Sequence, residues 1–463
     1  METNQEEQLL KEDKRIFTLS KEKPAKAVVK MGVPLIAGMM IMVLYNLVDT
    51  YFIGMMKDDY CLAAVNLAYP VMMVTVAISN IVGTGAASLI ARSLGAGDRD
   101  KANHTLTTGM LLTAVIGLIV TAAGLICLPL IVQGLGAKEN TTLYTQQYVS
   151  ILLAGSVFTM GSYTIGQLLR SEGSVKYSIA GMILGTVMNI VLDPLFIFTF
   201  GMGIQGAALA TILGNASSMA VSMLFYIRRK TLLRPKKAYI RPTKEILKEI
   251  FLVGIPASLE TLLTSAVFVI NNNLAVSYGE LTVAAMGIAQ KLLSLGNYIY
   301  QGFASGTQPI MGYNYGAKNY RRMLAVLKAG IIVVSTVELT VMLIYGLLAP
   351  MLAGWFTDSP EVIETGARVL RTLMLILPFV GATSMCRMSF QAMGKPQFAF
   401  IITLVRQLIL YVPLLLAFNM LWGFGGMLLA QPVTEVVMMA ISIGILYRVI
   451  KKEENRTLIA EAV

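Results

Sequence analysis

Long apolar runs follow one another along almost the whole of this 463-residue chain, each about as long as a helix must be to cross a bilayer. In hydrocarbon no water satisfies backbone N–H and C=O groups, so a spanning segment closes its own hydrogen bonds as a helix of roughly 20 mostly apolar residues. Gly, Pro and charged residues punctuate the runs and predict spans at about 30–55, 62–94, 104–132, 143–171, 177–200, 205–228, 248–278, 282–315, 322–356, 362–393, 397–420 and 425–450. The chain is 56% hydrophobic and 14% charged, whereas soluble domains run at roughly 45–50% and 25%. The expected class is an all-α integral membrane protein of twelve transmembrane helices, and not a soluble enzyme.

The longest polar interruption, RRKTLLRPKKAYIRPTKE at 228–245, divides the chain into nearly equal halves. Laid over each other, the halves keep register. Pro34 of GVP meets Pro256 of GIP at an offset of 222, and Gly85 meets Gly306, Gly95 meets Gly316 and Gly173 meets Gly394 at 221. Gly203 and Gly206 of GIQGAA meet Gly423 and Gly426 of GFGGML at 220. Six helices per half makes this a parallel repeat, an arrangement in which transporters bind substrate where the repeats meet. The expected divisions are a cytoplasmic segment 1–27, a first bundle 28–228, a basic linker 229–247, a second bundle 248–450 and a cytoplasmic tail 451–463.

The formal charge of +11 gathers on one side. With the N-terminus inside, Lys11 to Lys30, Arg99, Lys101, Arg170, Lys176, Arg228 to Lys248, Lys318 to Arg322 and Arg448 to Arg456 are internal, whereas Lys57 and Lys138 stand nearly alone outside. Arg368 and Arg371 are the main exception. This asymmetry places both termini in the cytoplasm and reads the basic charge as membrane topology, with no nucleic-acid partner. No cleavable signal peptide is expected, because residues 1 to 26 are charged. Cys61, Cys127 and Cys386 are far apart and form no CxxC, so they read as small core residues. The single histidine, His104, reads as a solvated loop residue, which removes His-based metal sites and proton relays. No structural metal and no cofactor are expected.

A carboxylate in mid-membrane costs roughly 2.5–3.5 kcal/mol, so each one needs a partner or a task. Asp49 lies six residues before the predicted outer end of the first span, Asp193 seven before the end of the fifth, and Thr211 six after the start of the sixth. At a rise of 1.5 Å per residue all three sit ~9–10 Å below one surface. Tyr45 and Asn189 precede the two acids by four residues and so share their helix faces. Carboxylate, amide and hydroxyl oxygens suit Na⁺ as a hard monovalent cation, and two acids held together also suit H⁺. Holding helices together is the competing role for such groups. The second half lacks the acids: Asp49 falls on Ile270 or Asn271, Asp193 on Val412 or Pro413, and Thr211 on Gln431.

Glu260, Glu338, Arg406 and Glu435 are the second half's own charges. Arg406 with Glu435 or Glu338 reads as a buried ion pair. Glu260, one turn after Pro256, either faces a central cavity and attracts a cationic substrate or pairs with linker cations. Glu260, Asn271, Arg406 and Gln431 are the candidate substrate-cavity residues. Pro34, Pro194, Pro256, Pro378 and Pro413 bend helices or end them; Pro34, on the helix of Asp49, is the candidate hinge.

These residues resemble the multidrug and toxic compound extrusion (MATE) family over essentially the whole chain. The resemblance rests on the order of GVP and VDTYFIG in the first span, LGAGDRDKA after the second, RSEG before the fifth, NIVLDPLFIF, GIQGAALAT, and the echoes GIP and YGAKNYRRM. It implies twelve helices in two pseudo-symmetric six-helix bundles of the MOP superfamily. It also implies efflux of cationic, amphipathic organic compounds by antiport with Na⁺ or H⁺, through a site matching Tyr45, Asp49, Asn189, Asp193 and Thr211, with a bent first helix matching Pro34. The expected setting is a bacterial cytoplasmic membrane, crossed many times by a monomer. A lipid-linked saccharide flippase of the same superfamily, or an exporter of one dedicated metabolite, is the alternative. A major facilitator protein would need more than GDRDK to match its DRxGRR pattern, and no HExxH or comparable constellation points to an intramembrane enzyme.

Overall fold

The computed structural model describes residues 14–56, 58–357 and 359–462, and among them no strand is present. Lys57 lies outside the described residues. A short helix at 14–20 (α1) precedes α2 (Pro24–Met55), α3 (Asp59–Gly95), α4 (Arg99–Ile126), α5 (Leu128–Gly134), α6 (Glu139–Ala154), α7 (Ser156–Ser171), α8 (Val175–Pro194) and α9 (Ile204–Ile227). After the linker come α10 (Lys244–Val276), α11 (Glu280–Gly316), α12 (Tyr320–Gly354), α13 (Pro360–Met374), α14 (Leu377–Ala392), α15 (Pro396–Leu404) and α16 (Val412–Ala462).

Each predicted span has its helix or bent helix pair. Among the described residues eight helical stretches are long and apolar enough to cross a membrane, ten if two bent pairs count as one span each, α6 with α7 at 51° and α13 with α14 at 42°. One of the eight, Pro396–Asn455, covers two predicted spans, because α16 is broken at Gly423. Hydroxyls inside the spans cost little: Thr75 donates to the Val71 carbonyl (2.9 Å), Ser79 to Thr75 (2.8 Å) and Thr113 to Gly109 (2.8 Å), each one turn back along its own helix.

The chain forms two compact units, one of residues Met1–Thr18 and Ala37–Ser258, the other of Leu19–Ile36 and Leu259–Val463. In the first, buried side chains including Ile53, Cys61, Ala68, Tyr148, Leu152 and Ile204 form the core. In the second, Leu292, Val369, Leu373, Leu377, Tyr411 and Leu415 do. Both α2 and α10 pass from one unit to the other two residues after their prolines, Pro34 and Pro256. The first segment of each helix is seated by glycine. A Cβ on Gly306 of α11 would lie 2.8 Å from the Gly32 nitrogen of α2, and one on Gly85 of α3 would lie 2.9 Å from the carbonyl carbon of Ile250 on α10.

The repeat read from glycine spacing is present in the backbone itself. Gly203 enters α9 with φ 55° and ψ −133°, and Gly423 breaks α16 with φ 59° and ψ −142°, a conformation open to glycine alone. Asp98 caps α4 by accepting from the Lys101 N–H (2.8 Å), and Asn319 caps α12 by accepting from Arg322 (3.1 Å), 221 residues later.

Two sequence expectations change. His104 is in the first turns of α4, half-buried, with its ring nitrogen 3.0 Å from the Arg241 carbonyl and its ring stacked on Tyr239. Cys127 is exposed at the break between α4 and α5, while Cys61 and Cys386 are buried. The apolar run LICLPLIV continues through that break, and Pro129 at the start of α5 is the residue that marks it.

Candidate functional site

The face of α8 explains how an acid comes to sit in the first unit's interior. Gly181, Gly185, Asn189 and Asp193 follow at four-residue steps and therefore form one stripe. The glycines bring α9 close: a Cβ on Gly185 would lie 2.7 Å from the Gly214 carbonyl oxygen, and one on Gly214 would lie 3.0 Å from Asn189 Cβ. Small residues at a crossing let backbones approach, and the polar end of the stripe is thereby pressed against Thr211. With its nitrogen turned to Asp193, the Asn189 amide donates to Asp193 Oδ2 (2.9 Å) and accepts from the Thr211 N–H (3.0 Å). The Thr211 hydroxyl donates to the Ala207 carbonyl (3.1 Å), leaving its lone pairs for another partner.

Asp49 arrives from α2, six residues before that helix ends at Met55. It is 9% exposed, and Asp193 is fully buried. The two carboxyl groups lie close enough to act on each other. Two carboxylates held near each other repel, and a proton or a cation between them relieves that repulsion. Among the described residues Asp49 Oδ1 and Asp193 Oδ1 have no hydrogen-bond partner, and both are shut off from solvent. Among the described residues the one donor to these four carboxyl oxygens is the Asn189 amide, which leaves acceptor capacity for a proton or a small cation. Immediately beyond Asp193, Pro194 ends α8 and Leu195–Thr199 widen into a π-helical turn, a feature frequent at functional sites. Asp49, Asn189, Asp193 and Thr211 are therefore brought together as their depth in sequence suggested; the Tyr45 side chain lies outside the described residues.

The second unit holds a different polar network. Glu260 Oε2 accepts from Arg387 Nη1 and from Gln391 Nε2, both at 3.2 Å. Arg406 Nε pairs with Glu435 Oε1 at 2.9 Å, within a second π-helical turn, Val405–Tyr411, just before Pro413. Glu338 is fully buried, and among the described residues neither of its oxygens is partnered. Of the two pairings open for Arg406 in the sequence, Glu435 is realised. Glu260 is paired with Arg387 of α14 and not with a linker cation. Arg387 and Gln391 were missed, although an arginine in the middle of the apolar run LPFVGATSMCRMSFQA was the signal. Asn271 and Gln431 are half-buried and take no part in this network. Among the described residues no group of three or more His, Cys, Asp and Glu is gathered as a metal site.

A family model described as MatE matches residues 34–195 and again residues 256–417, so the two matches start 222 residues apart, as the two prolines do. The chain is 27% identical over 425 residues to the multidrug export protein MepA of Staphylococcus saprophyticus, covering 92% of this chain and 94% of that one. It is 28% identical over 423 residues to the protein of the same name from Staphylococcus aureus, covering 91% and 93%. Among solved structures, an outward-facing conformation of a multidrug resistance MATE family transporter of the MOP superfamily superposes with a TM-score of 0.90 at 29% identity, over 94% of this chain and 98% of that one. A MOP superfamily transporter from Pyrococcus furiosus, described as having a binding pocket of reverse polarity that suggests a different function, superposes with a TM-score of 0.89 at 29% identity, over 95% and 98%.

Proposed function

The chain belongs to the MatE family, and from that premise we propose that it is a secondary active exporter of cationic, amphipathic organic compounds. Antiport with Na⁺ or H⁺ drives it by alternating access, in a bacterial cytoplasmic membrane with both termini inside and the protein acting as a monomer. The observation that carries this reading is the buried Asp49–Asp193 pair with an unpartnered oxygen on each acid. The coupling cation or proton takes those oxygens together with Asn189 and Thr211, Tyr45 completes the set from one turn along α2, and drug loading follows ion release. Pro34, where α2 lacks a backbone donor, is the hinge through which loading at Asp49 reaches the rest of that helix. The names of the staphylococcal relatives support multidrug export.

The flippase reading fares worse on one specific point. A pyrophosphate-bearing lipid needs free guanidinium or ammonium groups in the interior, and Arg387 and Arg406 are each bound to a carboxylate. Those pairs support a cavity that favours cations or neutral compounds, to which Glu260, Asn271, Arg406 and Gln431 contribute.

Proteoliposomes holding an organic-cation dye, given a Na⁺ gradient and a pH gradient in separate trials, test the proposal. Efflux under at least one gradient, lost in Asp49→Asn, is the expected result. Full gradient-driven efflux in Asp49→Asn would overturn the coupling site. Absence of dye or norfloxacin-like drug export, with resistance of producing cells unchanged, would leave a dedicated metabolite as the substrate.

A further inference from the structure

The linker between α9 and α10 is not slack. Its backbone is tied down at five points on the first unit: the Leu233 N–H donates to the buried Glu172 carboxylate (2.8 Å), Arg234 N–H to Asn103 Oδ1 (2.8 Å) and Lys236 N–H to Thr107 Oγ1 (3.2 Å), the Arg241 carbonyl meets the His104 ring (3.0 Å), and Arg15 Nη2 donates to the Lys230 carbonyl (2.6 Å). The Tyr239 hydroxyl adds a bond to Asp100 Oδ1 (2.8 Å). Thr231, Leu232 and Leu233 are buried.

With the backbone fixed inward, the cations turn out. Arg228, Lys230, Arg234, Lys237, Arg241 and Lys244 are exposed, and none of the six carries an ion pair among the described residues. The neighbouring acids are already taken: Asp100 by Lys236 and Tyr239, Glu245 by Lys101, and Glu249 by Lys101 and Arg92. Two apolar side chains stand out of the same stretch, Ile227 at 70% and Ile240 at 52% exposure. Both ends of this strap run directly into membrane-crossing helices, so it lies at the level where lipid headgroups begin.

We infer that the strap is a built docking site for anionic phospholipid headgroups: pre-ordered cations take the phosphates, and Ile227 and Ile240 dip into the acyl boundary. Each surface cation contributes on the order of fivefold to binding of an anionic membrane. Because the ordering cost has already been met by the anchors to Glu172, Asn103 and Thr107, the lipid binds without first folding the linker. The inference requires only that the chain spans the membrane and is independent of the transported ion and substrate.

The experiment follows thermal unfolding of the purified full-length protein in detergent with added phosphatidylglycerol, phosphatidylcholine or inorganic phosphate. Phosphatidylglycerol alone is expected to raise the midpoint, and its half-saturating concentration rises on the order of a hundredfold in R234Q/K237Q/R241Q. R368Q/R371Q, changed on the arginine-bearing helix α13, keeps the parent response. Salt at about 1 M, which cuts the screening length to roughly 3 Å, abolishes the phosphatidylglycerol effect in the unaltered protein. An equal response to phosphatidylcholine or to inorganic phosphate, an undiminished response in the triple variant, or one that survives high salt would each overturn the inference; the salt arm holds even where the variant folds poorly.

Discussion

Asp49 on α2 and Asp193 on α8 bring their carboxyl groups together, and each keeps one buried oxygen without a partner among the described residues. Asn189 is the group that holds Asp193 in that position, donating to its Oδ2 at 2.9 Å. Asn189→Ala removes a donor to a buried acid, worth about 1–2 kcal/mol, and is expected to raise the half-saturating concentration of the coupling ion on the order of tenfold. The KM for the organic substrate should change little. Initial efflux rates from proteoliposomes at varied ion and dye concentration separate the two, and an unchanged ion dependence would remove Asn189 from the site.

Glu338 and Glu435 predict opposite outcomes for the same replacement. Glu338 is fully buried and neither oxygen is bonded among the described residues, so it carries an uncompensated desolvation cost. Glu338→Met is expected to stabilise by about 1–2 kcal/mol. Glu435 holds Arg406 at 2.9 Å, and Glu435→Met leaves a guanidinium unpaired, at a cost of about 3–5 kcal/mol. Thermal midpoints in one detergent decide the matter; a loss of stability in Glu338→Met would mean that its carboxyl has a partner.

Lys318 occupies the position that Gly97 holds in the first half. Both residues follow a helix end with positive φ, 54° and 80°. A lysine Cβ is strained there and glycine is not, so Lys318→Gly is expected to stabilise by about 1 kcal/mol and Gly97→Lys to destabilise by a similar amount. Equal midpoints for Lys318→Gly and the parent would show that the loss of chain entropy in the unfolded state offsets the strain.

Where the sequence was readable, one physical constraint dominated. Backbone satisfaction in hydrocarbon makes spans visible as apolar runs, and left-handed turns make glycine spacing visible, so the repeat followed from Gly203, Gly423, Pro34 and Pro256. Depth from the helix ends then aligned Asp49, Asp193 and Thr211. Partner choice was hidden. Arg387 reaches Glu260 across 127 residues, and no periodicity links positions on different helices. The handover of α2 and α10 between units was hidden for the same reason, since a helix shows in sequence which residues are apolar and not which neighbour covers them.

Glu172 follows the last residue of α7 and is fully buried, with one oxygen bound to the Leu233 N–H and the other unpartnered among the described residues. Burial pushes its carboxyl from an ordinary value of 4.5 up to about 7, against the opposing pull of Ser174, the Leu233 and Leu232 N–H groups and Arg15. The folded protein therefore holds this proton more tightly than the unfolded chain does. The stabilisation from Glu172 is complete below about pH 4.5 and is lost as pH rises through about 7. Between pH 5.5 and 8 the unfolding midpoint is expected to fall, and the linker amides around Leu233 to exchange faster with deuterium. Glu172→Gln keeps a hydrogen-bond acceptor for Leu233 without the titration, so it should flatten both trends across that window. Parallel slopes for parent and variant would assign the pH dependence to other groups.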